Sequence, residues 1–167
     1  MARLLILILF LLSAPLARAD SIPTGKWLTQ GRDGVISVST CGDALCAEIV
    51  GVFLDRPNDP MPADYRGVSQ CKLPLITDAR EIRRNLWKGH IRDPRNGSVF
   101  GVELHLDPHG NLALRGFLGI PLLGQTQIWT RYTGKVPDDC RIIRPAASPG
   151  AVAEQGGAPA ARTGRGH

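Results

Sequence analysis

The sequence predicts an all-β fold, specifically a small antiparallel up-and-down β-barrel of about eight strands. Three observations predict it. Between Ile22 and Arg144 apolar and polar residues mostly alternate, turn-forming residues recur at short intervals, and no segment has the pattern of a long helix. Eight short antiparallel strands suit a closed barrel whose interior is filled by side chains or holds one small ligand. A β-sandwich is the alternative arrangement.

The first 19 residues are predicted to be a secretory signal peptide. Arg3 precedes nine unbroken apolar residues, and small residues lead up to Ala19. Nine helical residues rise only about 14 Å, too little to span a hydrocarbon core of about 30 Å. We therefore expect cleavage before Asp20, export to the periplasm or the medium, and no integral membrane segment in the mature chain.

The last part of the chain has a different composition from the rest. Residues 145–167 are rich in Pro, Ala and Gly, and Val152 is their only large aliphatic residue. Such a segment cannot bury enough apolar surface to offset the entropy lost on ordering. The expected organisation is thus a barrel domain over residues 20–144 and a disordered tail over residues 145–167.

The charge of the chain argues against a nucleic-acid partner. Its 167 residues include 20 Lys and Arg and 15 Asp and Glu. Two of the cations lie in the predicted leader, and two cations and one carboxylate lie in the tail. The predicted domain therefore keeps 16 cations and 14 carboxylates, a net charge of +2, which is too small for a phosphate-binding surface.

The first half of the domain predicts a hairpin and a long connection. Residues 35–40 are rich in β-branched side chains, a Gly-Asp pair predicts a turn, and residues 47–53 continue as the partner strand. Residues 55–70 contain three prolines and three aspartates and are expected to form a loop. Residues 80–85 fit either a short helix or a polar strand.

The second half predicts strands at closer spacing. A strand over residues 87–92 meets turn-forming residues at 93–97 and returns over residues 99–106. Leucines then repeat at even spacing within residues 112–118, and a final strand covers about residues 124–132. Within residues 99–106, Phe100 and every second residue after it are apolar and are expected to face the interior.

Four cysteines in an exported chain favour two disulfides, for which three pairings exist. Cys41 and Cys46 flank the predicted turn of the first hairpin, where opposed residues lie near bridging distance. This favours Cys41–Cys46 and leaves Cys71–Cys140. Zinc is the rival interpretation, but a C-x4-C spacing with no neighbouring His makes a poor ligand set, and we expect no metal.

Several motifs make the chain similar to a family of exported bacterial proteins, the domain of unknown function 2147. They are GKWLT at 25–29, CGDALC at 41–46, WKGHIRDP at 87–94, LRGFLG at 114–119 and LLGQTQIWTR at 122–131. The resemblance covers residues 25–131. It implies a lipocalin-like (calycin-like) barrel and no established activity.

The same resemblance implies how the barrel closes. Lipocalin-like barrels carry a Gly-x-Trp on the first strand, and an Arg from the last strand covers its indole. Here these residues are Trp27, preceded by Gly25, and Arg131. Both are expected to be structural and to stabilise the closure by a cation–π contact.

Signatures of catalysis are absent from the sequence. It has no G-x-S-x-G elbow, no H-E-x-x-H helix, no phosphate-binding loop and no dinucleotide fingerprint. His105 falls in a predicted strand and His109 in a turn, so they do not form a helical metal pair. We expect no cofactor; an enzyme of unrecognised type is the third hypothesis, after two non-enzymatic ones.

The first functional hypothesis is an exported, non-enzymatic barrel that binds a small apolar or amphipathic ligand. Two roles are open for Asp93 and Arg115 at the barrel mouth. One is structural, a salt bridge between them or a carboxylate that caps the Asp93-Pro94 turn. The other is a ligand site in which Arg115 holds an anionic head and Phe100 contributes to the apolar lining. The alternative is an envelope-interaction protein with a filled barrel and a working outer surface. Its candidate surface is a basic stretch comprising Arg80, Arg83, Arg84, Lys88, Arg92 and Arg95.

Overall fold

A computed structural model describes residues 22–145 of the chain. The predicted signal peptide and nearly all of the predicted tail lie outside this range. The described part contains nine strands and one turn of 3₁₀ helix, Pro121–Leu123. The strands are β1 (Gly25–Leu28), β2 (Gly34–Cys41), β3 (Ala44–Leu54), β4 (Pro74–Arg83), β5 (Leu86–Arg92), β6 (Val99–Leu106), β7 (Leu112–Phe117), β8 (Gln125–Arg131) and β9 (Arg141–Ile143).

Strands β1 to β8 form a closed antiparallel barrel in which each strand pairs with its neighbours in sequence. Closure comes from the pairing of β1 with β8, which sets Trp27 opposite Arg131 and Leu28 opposite Thr130. The predicted eight-stranded up-and-down barrel is therefore confirmed, and the β-sandwich is excluded.

Two parts of the strand assignment differ from the sequence prediction. The ambiguous residues 80–85 belong largely to β4, an irregular strand whose register with β5 shifts between Ile76 and Arg80. The short strand β9 was not predicted. It pairs in parallel with the end of β3, Val52 opposite Arg141 and Leu54 opposite Ile143, outside the eight-strand cylinder.

The two ends of the barrel differ. The end reached by the β2–β3, β4–β5 and β6–β7 turns is named the closed end, and the opposite end, with the β5–β6 and β7–β8 turns and the long β3–β4 connection, the open end. Buried side chains of β3, β5, β6 and β7 pack near the closed end: Leu45, Trp87, Leu106 and Leu112. On β6, Val102, Leu104 and Leu106 are buried, which confirms the predicted alternation.

Both disulfides join the pairs that the hairpin argument favours. Cys41–Cys46 spans the β2–β3 turn, with the two Cα atoms 5.8 Å apart. Cys71–Cys140 ties the β3–β4 connection to the segment before β9, with Cα atoms 5.6 Å apart. The zinc interpretation is wrong, because all four sulfurs are bonded to one another in pairs.

Among residues 22–145 there is no helix of the length and apolarity needed to cross a membrane.

Candidate functional site

The closed end is sealed by Trp27 and Arg131. The guanidinium carbon of Arg131 lies 3.8 Å from the centroid of the indole ring of Trp27, and Arg131 Nη1 donates a hydrogen bond to the carbonyl of Thr24, 2.5 Å away. Trp27 is fully buried, and its Nε1 donates to the carbonyl of Pro23. The structure thus brings the two side chains into cation–π contact.

Gly25 completes the closure. Its φ of +123° lies in a region that glycine favours, and a Cβ at this position would overlap the guanidinium of Arg131. The glycine of the Gly-x-Trp motif is thus needed because the arginine crosses the backbone there.

The open end holds a cavity of about 690 Å³, within the range usual for small-molecule sites. Most of its lining is apolar: Ile36, Leu75, Ile91, Phe100, Leu114, Phe117, Leu118, Leu123 and Trp129. The polar groups of the lining come from Thr29, Arg92, Asp93, Arg95, Gln125 and Gln127. The barrel therefore has an open, largely apolar mouth at this end.

The cavity extends from the rim into the interior of the barrel. Its lining runs from Leu118, directly after β7, to Leu114 on β7, four residues or about 13 Å of strand. Trp129, which is nearly fully buried, lies deeper, opposite Leu112 on β7, and donates from Nε1 to Gln127 Oε1 at 2.9 Å. Trp129 is a lining residue that the sequence motifs do not single out, although its position two residues before Arg131 on β8 indicates an inward-facing side chain.

Asp93 and Phe100 both line the cavity. The Asp93 carboxylate, however, is already hydrogen-bonded to Arg95, two residues away in the chain. The carboxylate accepts hydrogen bonds from the Arg95 side chain, Nη2 at 2.8 Å, and from the Arg95 backbone N–H at 2.9 Å. The side-chain bond from Arg95 lowers the pKa of Asp93 below its ordinary value, while burial acts in the opposite direction. Asp93 therefore caps the β5–β6 turn as a carboxylate.

Arg115 is placed differently from the prediction. It lies between Leu114 and Gly116, which line the cavity, and its own side chain lies on the outer face of β7. Its guanidinium donates to the carbonyls of Pro121 (2.5 Å) and Leu122 (3.0 Å) and to Thr126 Oγ1 (2.9 Å). The predicted Asp93–Arg115 ion pair and the anchoring role of Arg115 inside the barrel are wrong, because alternation along β7 directs this side chain outward.

Arg92 is the cation that the cavity offers instead. It lines the mouth, and Nη1 donates to the carbonyl of Gly97 at 3.1 Å. Within residues 22–145 it forms no ion pair, whereas Arg95 is bound to Asp93. The sequence analysis had included Arg92 in the basic stretch and not in the cavity.

The basic stretch does not form one surface. Arg80 pairs with Asp43 and Lys88 with Glu103 on the outer wall. Arg83 and Arg84 lie in another outer depression with Arg115, and Arg92 and Arg95 lie at the open end. The envelope-binding surface expected from this stretch is therefore divided among separate parts of the barrel.

An apolar lip borders the mouth. It consists of four side chains of the β7–β8 connection: Leu118, Ile120, Leu122 and Leu123, which are 68%, 54%, 80% and 76% exposed. Leu118 and Leu123 also line the cavity. The lip is therefore continuous with the apolar interior.

Comparisons with known proteins agree with this architecture. A solved structure of protein HP1028 from the human pathogen Helicobacter pylori, described as belonging to the lipocalin family, matches with a TM-score of 0.57. The two chains are 14% identical over 67% of this chain and 84% of that one, so the likeness concerns the fold. No curated protein matches the chain. Residues 25–131 match the model of DUF2147, described as an uncharacterized protein conserved in bacteria, and the chain belongs to this family.

Proposed function

We propose that this protein is an exported, non-enzymatic carrier of a single-chain amphiphile with an anionic head, such as a fatty acid. The observation that carries the proposal is a largely apolar cavity of about 690 Å³ that opens beside Arg92, which forms no ion pair among residues 22–145. Burial of an acyl chain against the apolar lining supplies the main driving force.

The head group is assigned to Arg92. A guanidinium at the rim of an apolar cavity binds a carboxylate through charge-assisted hydrogen bonds, which are stronger than neutral ones. Because Arg95 is bound to Asp93, Arg92 is the available cation among those that line the cavity. Gln125, Gln127 and Thr29 offer further polar contacts near the mouth.

Export is part of the proposal. Two disulfides fit an oxidising compartment, and the N-terminal sequence has the pattern of a signal peptide. A carrier in the cell envelope would keep an insoluble acyl chain out of water.

Titration with dodecanoate, followed by calorimetry and Trp fluorescence, tests the proposal. We expect saturable binding, which Arg92→Gln weakens by roughly tenfold. The matched control Arg83→Gln removes an exposed arginine from the outer face and should leave the affinity unchanged. Dodecylamine, with the opposite head charge, should bind more weakly and should not respond to Arg92→Gln.

A second variant tests the cavity itself. Gly116 lines the cavity, and a Cβ added there would meet no atom within 4 Å. Gly116→Leu should therefore place an isobutyl group in the cavity without strain, abolish dodecanoate binding and leave the melting temperature equal or higher. Absence of dodecanoate binding by the unmodified protein, or equal binding by Gly116→Leu, would refute the carrier function.

A further inference from the structure

We propose that the apolar lip docks the open end of the barrel on the surface of a lipid bilayer that contains anionic lipids. This inference rests on the proposed function in one respect: it names the membrane as the source of the amphiphile. Docking itself depends only on the lip and its surroundings.

The first step is the composition of the lip. Four large aliphatic side chains stand on six consecutive residues, each more than half exposed, and no charged residue interrupts them. The other exposed large hydrophobic side chains of the described chain are spread over several elements, among them Ile22, Val68 and Ile82. A contiguous exposed apolar group of this kind marks an interaction site.

The lip is held in this exposed position. Arg115 donates to the carbonyls of Pro121 and Leu122 from the outer wall, and Gly124 N–H donates to the carbonyl of Pro121 at 2.9 Å. Arg115, which the sequence assigned to ligand binding, thus restrains the backbone of the lip. Because these bonds restrain the backbone, the leucines are presented to solvent by the fold and do not result from a loose loop.

The size of the lip favours a bilayer over a second copy of the chain. A standard protein interface uses about 20–30 residues and about 800 Å² on each side, whereas the lip supplies four side chains. Basic residues border it: Lys88, paired with Glu103, and His90, hydrogen-bonded to Asp78, lie with Leu118 along an outer groove, and Arg92 lies in the mouth. Short apolar protrusions flanked by cations suit the interfacial region of a membrane.

Anionic lipid is specified chiefly by Arg92, which has no carboxylate partner among residues 22–145. Lys88, whose Nζ lies 5.4 Å from the centroid of the Phe117 ring, is shared with Glu103 at 3.8 Å and contributes less. Insertion of the lip would bring both cations towards the head groups. We expect several-fold tighter binding to anionic vesicles than to neutral ones, and a loss of that difference at high salt.

The lip also connects the bilayer with the cavity. Leu118 and Leu123 belong to both surfaces, so an acyl chain that leaves the membrane between them reaches the interior without crossing water. The cavity lies at the open end with the lip, and the Trp27–Arg131 contact lies at the closed end. The barrel would therefore dock on the membrane in one orientation, with its open end towards the lipid.

Vesicle sedimentation tests the docking. The chain is exported by a bacterial host, purified from its periplasm and mixed with phosphatidylcholine vesicles with or without phosphatidylglycerol. Ile120→Ser/Leu122→Ser removes two lip residues that do not line the cavity. The control Ile22→Ser/Val68→Ser removes two side chains of similar exposure, 49% and 52%, outside the lip and outside the groove that Leu118 shares with Lys88. We expect the lip variant to lose binding by roughly tenfold or more and the control to bind as the unmodified protein does.

Dodecanoate binding separates this inference from the proposed function. A lip variant that binds dodecanoate normally but not vesicles supports docking, and a Gly116→Leu variant that binds vesicles but not dodecanoate supports both ideas as distinct steps. Failure of the unmodified protein to bind anionic vesicles overturns docking alone. Docking is also overturned if the lip variant binds anionic vesicles as tightly as the unmodified protein does. A third contrary result is a dimer of the unmodified protein in sedimentation velocity that Ile120→Ser/Leu122→Ser dissociates, because the lip would then contact a second copy of the chain.

Discussion

Arg131 performs three tasks with one side chain. It pairs across from Trp27 where β8 meets β1, covers the indole face, and hydrogen-bonds the carbonyl of Thr24 ahead of β1. Because these contacts join the first and last strands, their loss affects the closure of the cylinder and not only one exposed cation.

Replacement of Arg131 by Ala is expected to destabilise the barrel by about 1 kcal/mol, the usual size of a cation–π contact at a partly exposed site. This corresponds to a fall in melting temperature of roughly 3–6 °C for a domain of this size. Arg131→Lys keeps the charge but not the planar guanidinium. Its melting temperature should therefore lie between those of Arg131→Ala and the unmodified protein. Thermal unfolding checks both, and Arg83→Ala is the control. An unchanged Tm for Arg131→Ala would contradict this account of the closure.

The placement of Arg115 could have been predicted from the residues around it. Leu112 and Leu114 occupy alternate positions of one strand, so the residue after Leu114 must face outward. Arg92 was harder to assign because it ends β5 at the rim, where alternation no longer decides whether a side chain reaches the mouth. The Trp27–Arg131 contact followed from the resemblance, since nothing local links residues about a hundred positions apart.

At the scale of elements, aspartates organise several connections. Asp93 accepts a backbone hydrogen bond from Arg95, Asp107 accepts from the N–H groups of His109 and Asn111, and Asp64 accepts from those of Arg66 and Val68. Such side-chain bonds to the backbone stabilise turns. For Asp107, burial raises the pKa, but hydrogen bonds from Asn111 and His109 outweigh it, and the pKa lies below its ordinary value.

These carboxylates predict an acid-labile barrel. The pKa values of Asp64, Asp93 and Asp107 are lowered in the folded protein, whereas an unfolded Asp titrates near about 3.9. A lowered folded pKa contributes stability that is present above the unfolded value and is lost as pH falls through the folded one. The melting temperature should therefore hold from about pH 7 to about pH 5 and decline below about pH 4.

Asp107→Asn gives the matched test. It keeps an acceptor oxygen but no charge, so it should lower Tm near pH 7 and reduce the decline below about pH 4. Asp138→Asn is the control, because the oxygen of Asp138 that is bonded within residues 22–145 is its backbone carbonyl and not its carboxylate. An unaltered pH profile for Asp107→Asn would show that this turn does not contribute to acid stability.

Strand prediction succeeded where partners are local and failed where they are distant. The hairpins β2–β3 and β5–β6 carry turn residues and alternation within about 20 residues, which sequence patterns record. Strand β9 has three residues, and its parallel partner β3 lies far back in the chain. Neither periodicity nor a turn signal marks such a pairing. On β4, the irregular register around Asp78 interrupts the alternation that would have identified a strand.

At the scale of the whole molecule, the two disulfides act over different distances. Cys41–Cys46 closes a hairpin turn that the β2–β3 ladder already holds. Cys71–Cys140 has a sequence separation of 69 and fixes the long β3–β4 connection to the chain that leads into β9. Both of these segments lie outside the ladder of β1 to β8, so little else restrains them.

The pair Cys71→Ala/Cys140→Ala should therefore cost more stability than Cys41→Ala/Cys46→Ala. The chain-entropy model gives about 4 kcal/mol for the long loop and about 2 kcal/mol for the short one, and loss of the buried Cys140 side chain adds to the first. Urea unfolding of the two double variants measures the difference as two unfolding midpoints. The reduced unmodified protein, which lacks both disulfides, should have a lower midpoint than either variant. Equal midpoints, or a lower midpoint for the hairpin pair, would mean that the β3–β4 connection and β9 are held by their backbone hydrogen bonds and not by the disulfide. The order expected here follows because a cross-link stabilises most where it removes most freedom from the unfolded chain.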